Sequence, residues 1–166
     1  MESIWKYDSP LGEITLAGEG DALTGLWLEG QGHSADSASW SGEEKWLPVF
    51  GEACRWLDIY FSGKDPGFTP RMELRGTPFR MEVWEILLGI PYGSTMTYGE
   101  IAETVGRRRG IRRMSAQAVG GAVGHNPVSL IVPCHRVIGA GGALTGYAGG
   151  LDLKRRLLQL EKVIPR

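Results

Sequence analysis

A thiol, an imidazole and a guanidinium stand in a row at Cys134, His135 and Arg136, inside the stretch SLIVPCHRVI (129–138). The thiolate is the nucleophilic form of cysteine, and cationic neighbours raise its share by lowering the thiol pKa. These residue types therefore suit attack on an electrophilic carbon with a base at hand. A lone cysteine is more often inert core filler, and composition by itself favours that reading. A metal site is disfavoured: there is no C-x-x-C, and His33, His125 and His135 lack ligand-like spacing. A cysteine peptidase would use a base remote in sequence, for which His33 and His125 are candidates, but no oxyanion-hole signature accompanies them. Neither a metal nor a cofactor is expected.

The elements that must position these groups can be read from hydrophobic spacing and punctuation. The apolar run Ser129-Leu130-Ile131-Val132 is expected to be a strand delivering the thiol, with Pro133 fixing the turn at its end. Upstream, Thr77-Pro78 reads as an N-cap followed by Pro at N1, and Phe79, Val83, Ile86 and Leu87 form a buried stripe up to the Ile90-Pro91-Tyr92-Gly93 turn. Thr97-Tyr98-Gly99-Glu100 has the form of a capping box opening a helix from Tyr98 to Val105, closed by Gly106. After a basic loop, a second short helix covers Ser115 to Val123, and the pair suggests a helix-turn-helix. A last helix, Leu151 to Lys162, buries Leu153, Leu157, Leu158 and Leu160 and leaves Lys154, Arg155 and Arg156 solvated.

The front of the chain looks different. Ile4–Tyr7, Ile14–Ala17 and Ala22–Leu28 read as strands, with Ser9-Pro10-Leu11-Gly12 as the first turn. Residues 30–42 form a polar loop. Glu43 to Phe61 then places Trp46, Val49, Phe50, Ala53, Trp56, Leu57, Tyr60 and Phe61 on one helical face, with Cys54 beside the stripe. The expected organisation is a small antiparallel sheet plus a helix over 1–75, an α/β N-terminal domain. A mainly α C-terminal domain with a winged-helix-like helix-turn-helix follows over 76–166.

Charge supports that division. Residues 1–75 carry 6 Lys and Arg against 13 Asp and Glu, whereas residues 76–166 carry 12 against 6. The net charge of −1 thus conceals a basic back half suited to a polyanion. No segment reaches the ~18 to 20 apolar residues of a membrane span, and the N-terminus lacks the basic and apolar regions of a signal peptide. Two cysteines without an export signal read as thiols of the reducing cytoplasm.

Two further features bear on a nucleic-acid partner. Five arginines fall within residues 107–113; a charge run is usually a solvated face, but its place between two short helices raises phosphate contact as the alternative. The second helix is mostly Ala, Gly and Val, with Gln117 its one long polar side chain. Such a surface serves either tight packing within the domain or close approach to a narrow groove without base readout. The sequence does not separate these two.

PCHRVI, preceded by Asn126-Pro127 and followed by LTGYAGG (144–150), resembles the methylated-DNA–protein-cysteine methyltransferases, or O6-alkylguanine-DNA alkyltransferases. The resemblance extends through RGTPFRMEVWEILLGIPYGSTMTYGEIA (75–102), AVGGAVGHNP (118–127) and LLQLE (157–161), and the opening SPLGEITLA is similar to the family's N-terminal domain. It implies a protein that flips O6-alkylguanine, and also O4-alkylthymine, out of duplex DNA from the minor groove and moves the alkyl group irreversibly to Cys134. It implies His135 as the base acting through a water, Glu161 as its orienting carboxylate, and Asn126 as a tie between the recognition helix and the active-site turn. Tyr98 would hydrogen-bond the leaving guanine. Val137, Tyr147, Ala148 and Gly149 would line the base pocket. Ser115, Ala116, Gln117, Ala118, Gly120, Thr97, Arg112 and Arg113 would face DNA.

The implied partner is alkylated double-stranded DNA, with no membrane, no obligate protein partner and a monomeric state. The pattern departs at Gln117, where many relatives carry an arginine that fills the gap left by the flipped base; Arg112 or Arg113 would have to compensate. The segment 107–114 is longer than in many relatives, and N-terminal zinc ligands found in some have no counterpart. The alternative is a DNA-lesion or helix-turn-helix binding module without transfer, which would not need Cys134; a thiol hydrolase ranks third.

Overall fold

The computed structural model describes residues 2–29, 42–112, 114–145 and 150–164. By backbone contacts the chain divides into two compact units, one of residues 1–75 with 127–129, the other of residues 76–126 with 130–166.

In the first unit, β1 (Ser3–Ser9), β2 (Gly12–Glu19) and β3 (Ala22–Leu28) form an antiparallel meander, and β4 (Glu43–Glu44) joins β1 in parallel. The sheet order is β3-β2-β1-β4, so the sheet is mixed rather than purely antiparallel. Ser9 closes the first hairpin: its hydroxyl donates to the Gly12 carbonyl at 2.6 Å and accepts from the Leu11 N–H at 3.1 Å. Helix α1 (Pro48–Phe61) buries Val49, Phe50, Ala53, Trp56, Leu57 and Tyr60. It starts five residues later than the apolar stripe suggested. Pro48 occupies N1, and the residue before a proline is driven to extended backbone, as Leu47 is at φ −123° and ψ 146°. Glu43 and Glu44 are consequently strand, and Trp46 is exposed.

The outer edge of β3 is covered by two short segments. Met72 pairs with Leu23 and Val128 with Leu26, both in parallel. At the second, the Leu26 N–H donates to the Pro127 carbonyl and the Ser129 N–H to the Leu26 carbonyl, each at 2.9 Å. The run 129–132 is therefore not the expected strand. Pairing stops after Ser129, and Leu130 turns the chain with a left-handed φ of 71° while its side chain is fully buried. An apolar run reports burial, and a buried turn satisfies it as well as a strand does.

The second unit is mainly helical. Helix α2 (Pro78–Leu88) is capped by Thr77, whose hydroxyl accepts from the Arg80 N–H at 3.3 Å. Strand β5 (Met96–Thr97) leads into α3 (Tyr98–Arg109) through a complete capping box, with Thr97 and Glu100 exchanging bonds of 3.0 Å. Gly106 does not close α3. It lies buried inside the helix, and Gly110 ends it at φ 69°, so Arg107, Arg108 and Arg109 form a helical turn rather than a loop. Helix α4 (Ala116–Gly124) is capped by the Ser115 hydroxyl, which accepts from the N–H groups of Gln117 and Ala118. The Trp84 indole N–H reaches the Ala122 carbonyl at 2.8 Å and seats α4 on α2. A 3-10 turn (Cys134–Arg136), β6 (Val137–Ile138, parallel to β5) and α5 (Leu151–Leu160) complete the unit.

Candidate active site

Pro133 sets the position of the thiol. At φ −81° and ψ 67° it is the centre of an inverse γ-turn, closed by the Cys134 N–H donating to the Val132 carbonyl at 2.8 Å. The same carbonyl accepts the buried Asn126 side-chain amide at 2.7 Å. Asn126 lies just past His125, the C-cap of α4, so this bond ties the end of that helix to the turn that presents Cys134. Cys134 itself is buried, with 6% exposure.

Around the thiol lies a charged network that the rest of the unit closes off from water. His135 is fully buried and its Nε2 lies 2.5 Å from Glu161 Oε2. The other carboxylate oxygen, Oε1, accepts the Arg136 Nε–H at 2.8 Å and the Gly93 N–H at 3.0 Å. Arg136 also donates from Nη1 to the Ile90 carbonyl at 2.8 Å. Burial lowers the pKa of His135; Glu161 opposes this, while the positive charges of Arg136 and Lys154 add to it. Burial works against ionisation of Glu161, yet the bonds and charges of His135 and Arg136 bring its carboxyl down to about 2. Since a guanidinium stays protonated throughout, Glu161 is ionised without needing an imidazolium. The ring is then neutral with its proton on Nε2, shared with Glu161, which makes Nδ1 the nitrogen able to accept a proton.

Lys154 contradicts its expected solvation. It is fully buried, and its ammonium donates to the carbonyls of Val137 at 2.5 Å and Thr145 at 2.8 Å. It lies 6.0 Å from the centroid of the Tyr98 ring, whose hydroxyl donates to the same Thr145 carbonyl at 3.2 Å. Burial pulls the Lys154 pKa down to about 8, against the attraction of a Cys134 thiolate. Burial raises that of Tyr98, and a negative Cys134 raises it further. Tyr98 and Lys154 are thus both within electrostatic reach of the sulfur. The signal for Lys154 is present in the spacing: 154, 157, 158 and 161 lie on one helical stripe, although its residue type points to solvent.

The other expected site residues differ in burial. Val137 is buried, its carbonyl held by Lys154. Thr97 is engaged in the capping box and half-buried. Ser115, Ala116, Gln117, Ala118 and Arg112 are exposed, and Gly120 is half-buried, a Cβ there coming within 3.9 Å of the Tyr98 ring. Gly121 bears on tight packing at one position of the helix. A Cβ on it would meet nothing within 4 Å, so internal packing does not require that glycine. The arginine cluster is exposed at all four described positions: Arg109 pairs with Glu82 at 3.0 Å and Arg108 with Glu85 at 3.6 Å, bracing α3 on α2. Arg113, Tyr147, Ala148 and Gly149 lie outside the described residues. Among the described residues, no three His, Cys, Asp or Glu side chains gather as a metal site, and no helix is long and apolar enough to cross a membrane. The second cysteine, Cys54, is half-buried on α1, where burial and then Asp58 raise its pKa.

A buried cysteine next in the chain to a histidine held by a carboxylate, on the unit that carries a helix-turn-helix, fits the class of DNA-associated proteins with a nucleophilic thiol. Residues 78–163 match the DNA-binding domain of 6-O-methylguanine DNA methyltransferase, and residues 5–74 match its ribonuclease-like domain. The methylated-DNA–protein-cysteine methyltransferase of Mycobacterium tuberculosis is 48% identical over 93% of this chain and 89% of its own. That of Methanosarcina acetivorans is 45% identical over 93% and 95%. Among solved structures, the O6-methylguanine methyltransferase of M. tuberculosis superposes with a TM-score of 0.83 at 46% identity, over 98% of this chain and 93% of that one. The M. tuberculosis OGT structure in complex with DNA gives a TM-score of 0.82 at 47% identity, over 95% and 91%. The chain belongs to the methylated-DNA–protein-cysteine methyltransferase family.

Proposed function

We propose that this protein repairs alkylated duplex DNA by moving the alkyl group of O6-alkylguanine, and of O4-alkylthymine, onto Cys134. The observation that carries the reading is the buried His135–Glu161 pair, adjacent in the chain to the thiol that the Pro133 turn fixes. His135 Nδ1 takes the Cys134 proton through a water, and Glu161 balances the imidazolium that forms. The thiolate then attacks the alkyl carbon in line: a carbon–sulfur bond forms as the carbon–oxygen bond to the base breaks. Charge that develops on the departing guanine is met by the Tyr98 hydroxyl. The product is a thioether with no low-energy reverse path, so each molecule acts once.

Recognition follows from the same unit. The outward face of α4, with Ala116, Ala118 and Gly121 exposed, lets backbone approach a minor groove, and the exposed Gln117 is the long polar side chain that this helix offers to the gap left by the vacated base. The target base rotates out because a side chain cannot reach the alkyl group inside the stack. Arg107 and Arg112 are exposed and available for phosphate contact, and the 76–166 region supplies the positive field. The protein acts as a monomer in the cytoplasm and needs no cofactor.

The test is intact-mass analysis after incubation with an O6-methylguanine duplex. One methyl mass is gained by the parent chain and none by Cys134→Ser. Tight binding to the lesion without any mass gain would instead make the chain a lesion-binding module.

A further inference from the structure

We infer that Arg136 is a positioning residue that holds His135 in its neutral, proton-accepting form by saturating one oxygen of Glu161 and placing a permanent positive charge beside the ring. The inference rests on the alkyl-transfer reading for its purpose, and on the geometry of the charged network for its substance.

The two oxygens of Glu161 have separate duties. Oε1 is taken by the Arg136 guanidinium and the Gly93 N–H, which leaves Oε2 to His135. Arg136 spans two acceptors at once, Glu161 through Nε and the Ile90 carbonyl through Nη1, and its guanidinium lies 5.7 Å from the centroid of the Tyr92 ring. It therefore fastens the 90–93 turn to the residue that ends α5, and its 7% exposure shows that water does little to screen it. Charged groups face His135 from each neighbouring segment: Glu161 after α5, Lys154 within α5, and Arg136 and Cys134 on its own turn. Glu161 favours the protonated ring, as a Cys134 thiolate would once formed, whereas Arg136 both opposes protonation directly and occupies half of Glu161. A base must be unprotonated at working pH, so the guanidinium keeps His135 available. Burial of the ring acts in the same direction.

The experiment reads the imidazole itself, independently of alkyl transfer. The chain has three histidines, His33, His125 and His135, so 15N-labelled histidine gives an assignable spectrum in which His135 can be titrated. In the Arg136→Gln protein the midpoint of His135 should rise by at least one pH unit, a tenfold change in its proton affinity. The acid limb of the transfer rate should move upward with it. Arg136→Lys keeps the charge and should leave the midpoint within a few tenths of the parent. A merely structural arginine would change rate and stability without moving either midpoint. An unmoved midpoint in folded Arg136→Gln overturns the inference, as does a rise of a full unit in Arg136→Lys. The lysine variant decides alone if the glutamine variant does not fold. Loss of methyl transfer in the parent chain would overturn the functional reading and leave the titration result standing.

Discussion

Replacing Glu161 with glutamine tests fold and mechanism together, because three donors converge on that carboxylate. Glu161 titrates near 2 in the folded protein against its usual 4.5, a difference equivalent to roughly 3 kcal/mol of stability at neutral pH. A second route gives a similar size: removing one partner of a buried ion pair strands the other and costs about 3–5 kcal/mol. For a chain of this length, about 3 kcal/mol corresponds to a Tm lower by roughly 6–12 °C. The folded value lies below the unfolded one, so this stability is present above pH 4.5 and is lost as pH falls toward 2. The gap between parent and Glu161→Gln melting curves should close over that interval.

The catalytic effect has a separate cause. Both partners of Oε1 are donors, so the amide oxygen takes that place and the NH2 group turns toward His135 Nε2. Two donors cannot face each other, and the ring must move its proton to Nδ1, the nitrogen required as base. Single-turnover transfer, followed by quenched intact-mass analysis, should fall by about 10²–10⁴. A variant that is destabilised as calculated but transfers methyl within about threefold of the parent would refute the assignment of His135 as base. A Tm loss below about 3 °C would refute the energetic argument.

Other outcomes follow from single contacts. Gly121→Ala should stabilise α4 by about 0.5–1 kcal/mol, since the added methyl meets nothing in the protein. It should also weaken binding to an alkylated duplex several-fold in a fluorescence-anisotropy titration, and unchanged affinity would remove α4's smooth face from the interface. Asn126→Ala deprives the buried Val132 carbonyl of one donor and should cost roughly 1–2 kcal/mol in urea denaturation while slowing transfer. Lys154 titrates near 8 folded and 10.5 ordinarily, so the unfolded chain binds the extra proton between those values. Stability should therefore rise from pH 8 to 10.5, by at most roughly 3 kcal/mol, and Lys154→Met should flatten that rise in denaturation curves taken at stepped pH.

Much of the architecture was legible because local rules decide it. The Thr97–Glu100 capping box, the Thr77-Pro78 start and the Ser9–Gly12 turn each rest on side chains acting on backbone within a few residues, and each formed as read. Boundaries failed where two local signals competed. The apolar stripe from Trp46 ran against Pro48, whose ring prevailed, and Gly106 looked like a stop although only Gly110 takes the left-handed conformation.

The chemistry divides along a similar line. The sequence by itself determined the candidate nucleophile and its immediate neighbours, because Pro133, Cys134, His135 and Arg136 are contiguous and their residue types carry their chemistry with them. Only the tertiary structure decided what each neighbour does. Adjacency says nothing of where a ring nitrogen points, and it took the end of α5 and the 90–93 turn to assign Nε2 to Glu161 and Oε1 to Arg136. Lys154 is the sharpest case: by type it belongs in water, and the fold places it beneath Tyr98 with two carbonyls as partners. Hydrophobicity is a property of a residue and can be summed along a chain, whereas the environment that fixes a proton is made by groups that meet only after folding.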